Sequence, residues 1–229
     1  MSRKHRDQRT RWDDFARDNA EYYILTDLDY EQSDLDAFFT SGEREARGIL
    51  ADVEPFLRGN DAALELGCGV GRLTFPISRH FERVVAVDVS EEMLARLVRN
   101  ARARGIENVS GRLADDDWGR DAFDLVYSRL VLQHVANGNE IEEYISRAAV
   151  ALKREGVAYL QFDTRPRTIA YHMRNALPDP LLPRTWRRGI RRIRRDPEAV
   201  QTWLASADLD VLAERGAGSV DHVVVACRR

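Results

Sequence analysis

Residues 63–71, Ala63-Leu64-Glu65-Leu66-Gly67-Cys68-Gly69-Val70-Gly71, run from an apolar, strand-like approach into three glycines at alternate positions. Arg72-Leu73-Thr74-Phe75 follow and can open a helix, so the stretch reads as strand, turn and helix. A ligand can lie against backbone only where no Cβ intervenes and a positive φ costs little, which alternate glycines provide. The helix start behind the turn adds N–H groups without partners in their own helix. A tight turn with no ligand is the competing reading, since short glycine patterns arise by chance.

Phe81-Glu82-Arg83-Val84-Val85-Ala86-Val87-Asp88 reads as a second buried strand ending in an acid, 17 residues after Gly71. That is about the interval at which a βαβ unit sets a carboxylate over a ribose. The glycines are spaced G-x-G-x-G, Arg72 stands where a dinucleotide fingerprint would run on toward its third glycine, and Glu65 precedes them. On these residues the chain resembles the class I S-adenosylmethionine-dependent methyltransferases of small-molecule type, whose first motif is Asp/Glu-x-Gly-x-Gly-x-Gly. The resemblance implies a doubly wound α/β fold with a mostly parallel seven-stranded sheet and an antiparallel last strand.

The composition is compatible with this fold. At 229 residues, 44% hydrophobic and 32% charged, the chain can bury one substantial core. The start is charged and no apolar run is long enough for a signal segment or a membrane span, so a soluble, cytoplasmic protein is expected. Cys68 and Cys227 are too few for a disulfide framework and too far apart in sequence to mark a metal site.

In chain order, residues 1–11 read as a frayed basic tail, and Trp12, Phe15, Tyr22 and Tyr23 mark an aromatic segment that is either a lid or simple packing. Residues 1–44 form the expected N-terminal helical or lid segment, and 45–229 the methyltransferase domain. Asp27, Asp29, Glu31, Asp34 and Asp36 read as a solvated connection, and Thr40-Ser41-Gly42-Glu43 as a capping box for a helix through about Phe56. A helix to about His80 follows the glycines, with Pro76 in its first turn or at a kink. Ser90-Glu91-Glu92 caps the next helix. Strands are expected near 108–113, 123–128 and 157–162, with a helix over 139–152 between the last two. Asp196-Pro197-Glu198 opens a further helix, and 209–214 with 222–227 form a hairpin. Alternation of strand and helix predicts a mostly parallel sheet covered on both faces.

The resemblance also assigns roles. Glu65, Gly67, Cys68, Gly69 and Gly71 would lie along the cofactor, Glu65 near the methionine amino group; Asp88 would accept from both ribose hydroxyls, with Val89 beside it. Asp115 would accept from the adenine amino group and the Asp116 N–H would reach a ring nitrogen, although the run Asp115-Asp116-Asp117 leaves the register open by one residue. Tyr23 or Arg44 would meet the cofactor carboxylate. Ser128-Arg129-Leu130-Val131-Leu132-Gln133-His134 follows the fourth strand, where the family faces its reaction; it is similar to the V-L-x-H stretch of small-molecule enzymes, and no Asn-Pro-Pro-Tyr signature is present. His134 is the first candidate base, set against a structural role at a helix start, and Tyr22 is a second; Tyr23, Asp163 and His172 are alternatives.

Residues 165–195 hold ten arginines against one acid, Asp179. Most fit a solvated helix face, while Arg165 and Arg167, close behind the fifth strand, join Arg129 as candidates for an anionic acceptor. The expected activity is methyl transfer to oxygen or nitrogen of a small metabolite, anionic ones included. An RNA- or tRNA-modifying enzyme and a non-catalytic nucleoside-binding regulator are the alternatives.

Overall fold

A computed structural model describes residues 3–25, 34–182 and 192–229. Asp27, Asp29 and Glu31 of the acidic stretch, and Arg184, Arg187, Arg188 and Arg191 of the insertion, lie outside these residues.

Five parallel strands, β1 (Ala62–Leu66), β2 (Arg83–Asp88), β3 (Val109–Leu113), β4 (Phe123–Ser128) and β5 (Leu152–Phe162), continue into an antiparallel hairpin, β6 (Leu209–Arg215) and β7 (His222–Arg228), in the order β3-β2-β1-β4-β5-β7-β6. β7 lies between β5 and β6, as the resemblance implies. The alternation of side chains along β1 divides the core. Ala62, Leu64 and Leu66 join the layer under α5 (Gly138–Ala151) and α7 (Pro197–Ser206). Ala63 faces the opposite layer, under α2 (Leu35–Val53) and α3 (Thr74–Ser78), and α4 (Glu91–Ala103) packs on β2 and β3. With both faces covered, β1, β2 and β4 are buried almost without interruption, which is why they read as continuous apolar runs.

Three expected boundaries move. The basic N-terminus is not a frayed tail: α1 runs Arg3–Ile24, interrupted at Asn19, whose extended backbone (φ −159, ψ 86) and side-chain bond from the Tyr22 N–H restart the last turn. Its buried Ala16 and Ala20 pack with Phe38, Val70 and Met93, tying the segment to the glycine loop and to α4. α2 begins at Leu35 rather than near residue 40, because Asp34 caps it first by accepting from Ala37 N at 2.9 Å. The boundary expected at residue 44 therefore falls inside a continuous helix. Ser41, deep in that helix, returns its hydroxyl to Phe38 O, and α3 stops at Ser78 with Pro76 near its start.

Gly42 makes α2's close approach to the glycine loop feasible. A Cβ at that position would lie 2.2 Å from the carbonyl oxygen of Arg72 and 2.8 Å from its Cγ. Gly42→Ala is expected to lower stability by about 1–3 kcal/mol, the ordinary cost of overpacking, since backbone must move to admit the methyl. Thermal unfolding of the variant measures it.

Candidate functional site

The parallel strands end together at Leu66, Asp88, Leu113 and Ser128, and β1 lies between β2 and β4, so the chain leaves β1 toward one side and returns on the other. Crevices in open α/β sheets form at such a switch point. A cavity opens here. Its floor is Leu66, Gly67, Cys68 and Gly69; Asp88, Val89, Met93 and Ala114 flank it on the β2 side, and Arg129 to Leu132 with His134 on the β4 side. Trp12, Tyr23 and Ile24 of α1 close over it. Gly69, with φ +52, is where α1 meets the loop, since a Cβ there would stand 2.5 Å from Ile24 Cδ1.

Asp88 is locked by backbone. Oδ2 accepts from Gly69 N and Oδ1 from Ser90 N, both at 2.9 Å, so the carboxylate ties the glycine loop to the start of α4. Burial pushes its pKa up to about 6, against the pull of those N–H donors. The Val89 N–H pulls on the same carboxylate, which with about four acceptor sites still has capacity for a further donor. Glu65 is also buried and lines the cavity. Tyr127 OH donates to its Oε2 at 2.9 Å and Thr74 Oγ1 donates to the same oxygen, while burial raises its pKa to about 7. Both hydroxyls converge on Oε2. Among the described residues, Oε1 accepts no hydrogen bond. Cys68 is a buried thiol whose ionisation burial disfavours.

Several expected residues stand elsewhere. Tyr23 reaches the wall, with its ring stacked on Phe15 at 4.2 Å and its hydroxyl donating to Asp18, whereas Tyr22 packs edge-on against Tyr23 and does not line the cavity. Gly71 (φ +100) shapes the turn over the Phe75 ring and is not on the wall. The Asp116 N–H is spent within its own turn on Leu113 O at 3.0 Å, and its Oδ2 accepts from Leu113 N. It therefore does not offer the donor expected of it. Asp115 accepts from Arg9 Nη2 at 3.3 Å, and Ala114 is the residue of this turn on the wall. Arg44 does not line the cavity; Arg72 and Arg129 do. Arg165 and Arg167 are not on the wall either, the first engaged with buried Asp163 and the second with Asp196.

His134 lines the cavity on a short 3-10 turn, its Nε2 3.3 Å from Gln133 Nε2 and its ring edge-on to Trp12 with centroids 5.8 Å apart. Sequence reasoning missed Thr74, Tyr127 and Tyr144. Tyr144 sits on the inward stripe of α5 and reads there as packing, and nothing in the pattern of β4 separates the Tyr127 hydroxyl from an ordinary core ring.

A family model described as a methyltransferase domain matches residues 63–156, from β1 to the bulged start of β5. Over these residues, less than half of its length, the chain is similar to a methyltransferase domain. Over 158 residues it is 29% identical to a ubiquinone biosynthesis O-methyltransferase of Rhizobium rhizogenes, covering 67% of this chain and 61% of that protein. A 23S rRNA (uracil(1939)-C(5))-methyltransferase of Aeromonas salmonicida is 39% identical over 74 residues, 29% of this chain and 17% of that protein. The chain thus spans less than two thirds of the length of either relative. Among solved structures, a geranyl diphosphate C-methyltransferase from Streptomyces coelicolor superimposes with a TM-score of 0.70 at 15% identity, covering 100% of both chains. A magnesium protoporphyrin IX methyltransferase from Synechocystis does so with a TM-score of 0.62 at 17% identity, covering 97% of this chain and 98% of that one. At these identities the likeness is one of fold. The seven-stranded sheet with its antiparallel last strand is the fold shared with these structures.

Proposed function

We propose that the domain moves a methyl group from S-adenosylmethionine to an oxygen or nitrogen of a small metabolite. The observation that carries this reading is Asp88 at the carboxyl end of β2, on the cavity wall and held by Gly69 N and Ser90 N beside the glycine loop. That arrangement suits a ribose diol, which brings two donors. Glu65 Oε1 suits the cofactor's ammonium, and Ala114 with Val89 and Met93 gives an apolar slot for an adenine ring. When bound, S-adenosylmethionine supplies a methyl carbon already activated by its sulfonium. The protein's own part is to align the acceptor and to take its proton where one must leave. Trp12, Tyr23 and Ile24 lie over the floor and would keep water out. The names of the Rhizobium O-methyltransferase and of both structural neighbours describe small-molecule substrates, which favours this acceptor class.

The test is transfer of labelled methyl from S-adenosylmethionine to a panel of hydroxy and amino acceptors, with RNA as a separate arm. Transfer to RNA alone, with affinity falling steeply with salt, would replace the small-molecule reading by RNA modification. Binding of the cofactor with no transfer to any acceptor would favour a regulator. Where the acceptor carries a labile proton, His134 is the wall residue placed to receive it. His134→Asn is expected to lower kcat about a hundredfold or more with cofactor affinity unchanged. An unchanged kcat with a lowered melting temperature would assign His134 to structure.

A further inference from the structure

A short helix, α6 (Ile169–Ala176), follows β5, and its buried residue is Tyr171. Thr168 caps it, accepting from Tyr171 N at 3.3 Å. The Tyr171 hydroxyl accepts from Arg194 N at 3.3 Å, and the Arg194 guanidinium lies 4.8 Å from the ring centroid. Ile193 N donates to Gln133 O at 2.7 Å and Arg195 N to Asp163 O at 2.8 Å, which ties the far end of the arginine-rich insertion to the turn that carries His134 and to the end of β5. Residues four apart share a helix face and a residue two apart points the other way, so an inward Tyr171 turns Ile169 and Met173 outward. Ile169 is 81% exposed and Met173 67%; Leu177, at the C-cap, is 44% exposed and Leu181, on the 3-10 turn beyond it, 71%. Among the described residues no other large apolar side chain is as exposed as Ile169, Leu181 or Met173.

A stripe of this kind left in water marks a surface that something covers. The surrounding sequence selects the partner. From Arg165 to Arg195 the chain carries ten arginines against Asp179, so the partner is anionic as well as apolar. A nucleic acid supplies the charge but takes hold by stacking its bases on aromatic faces; Tyr171, the ring suited to that, faces inward, and the stripe is built of Ile, Met and Leu. A second copy in a two-fold contact would set the same arginines against each other. An anionic bilayer meets both demands, with acyl chains for the stripe and phosphate headgroups for the guanidinium groups. Arg165 and Arg167 flank the start of α6, their side chains 40% and 45% exposed while paired with Asp163 and Asp196. We propose that α6 and the turn after it form a docking surface for an anionic membrane, with Ile169, Met173, Leu177 and Leu181 entering the boundary between headgroups and acyl chains. The contact is peripheral, since among the described residues no helix is long and apolar enough to cross a bilayer. It concerns where the domain works and is independent of what its cavity binds.

Co-sedimentation of the full chain with vesicles tests this, using phosphatidylcholine alone and phosphatidylcholine mixed two to one with phosphatidylglycerol, each at low and high salt. The wild type is expected to bind the anionic vesicles at least about tenfold more tightly than the neutral ones, and less tightly at high salt. Ile169→Ser and Met173→Ser combined in one chain weaken that binding at least about tenfold with the melting temperature unchanged, because both side chains stand in water in the free protein. Ile169→Leu with Met173→Leu, which keeps the face apolar, retains it. The proposal is overturned if the wild type, shown to be folded by a cooperative melt, stays in the supernatant with anionic vesicles, or if the serine variant binds them as tightly as the wild type. Binding of RNA without binding of vesicles would assign the surface to nucleic acid. A wild-type dimer that the two serines turn into a monomer, with no vesicle binding, would assign it to a second copy, and either result also overturns the proposal.

Discussion

Replacing Asp88 by Asn will weaken S-adenosylhomocysteine binding at least about a hundredfold while leaving the protein folded, because the relief of a buried charge at neutral pH is offset by the loss of one backbone N–H partner. The carboxylate is buried and its pKa is raised to about 6, so above that pH the fold keeps an ion where solvation is poor. The shift from its ordinary value of 3.8 corresponds to a cost on the order of 3 kcal/mol once the group is ionised. Asn removes that cost and keeps one acceptor for Gly69 N or Ser90 N, but its NH₂ faces donors where a carboxylate oxygen stood. A ribose diol then loses an acceptor it needs. Calorimetry reads the binding and thermal unfolding at pH 7.5 reads the stability. Full affinity in a folded Asp88→Asn protein would remove Asp88 from the cofactor site.

The second large effect is on the pH profile of stability. Glu65 and Asp88 are both carboxyls whose folded pKa values, about 7 and about 6, lie above their ordinary values because burial disfavours the charge. The folded chain therefore holds protons that the unfolded chain has released. Stability contributed by these two groups is fully present below about pH 4 and is lost as pH rises through their folded values, by several kcal/mol in all. Glu45 and Asp221 act in the opposite sense. Their carboxyls are held below the usual range by Arg72, Arg129 and Arg215, although burial opposes it, so their contribution disappears on acidification. Melting temperature is expected to peak between these regimes, near pH 4–5, and to fall toward neutrality. Glu65→Gln should flatten the decline over pH 5–7, and a slope identical to that of the wild type would show that Glu65 is ionised throughout. Bound S-adenosylhomocysteine should counter the same decline, because it provides donors to the two ions.

Much of this site is legible in the chain because its main parts are local. The glycines, Glu65 and Asp88 lie within one βαβ unit whose strands are apolar runs bounded by turn residues, so their placement follows from period and spacing. Register fails where side chains and backbone compete for the same turn. The Asp116 N–H is used by Leu113 O, a choice three consecutive acids do not reveal. The arginines fail for a different reason. Arg44 is near Glu45 in sequence, but which cations meet that glutamate is decided by how α2 crosses the glycine loop, and the answer is Arg72 and Arg129. At the start of α2 the capping box expected at Thr40 gives way to Asp34, which the sequence reading places in a solvated connection; Asp34 accepts from Ala37 N, and Phe38 packs with Ala16 and Ala20. Tyr127 and Thr74 were hidden because a hydroxyl inside an apolar run carries no sign of its partner until β1, α3 and β4 are brought together.

The central claim is that the cavity between the ends of β1, β2 and β4 is a nucleoside cofactor site. Calorimetric titration of the wild-type protein with S-adenosylhomocysteine tests it most directly. One-to-one binding with a dissociation constant in the micromolar range or tighter is the expected result, with heat lost in Asp88→Asn. A protein that unfolds cooperatively yet shows no heat with S-adenosylhomocysteine or S-adenosylmethionine would contradict the claim.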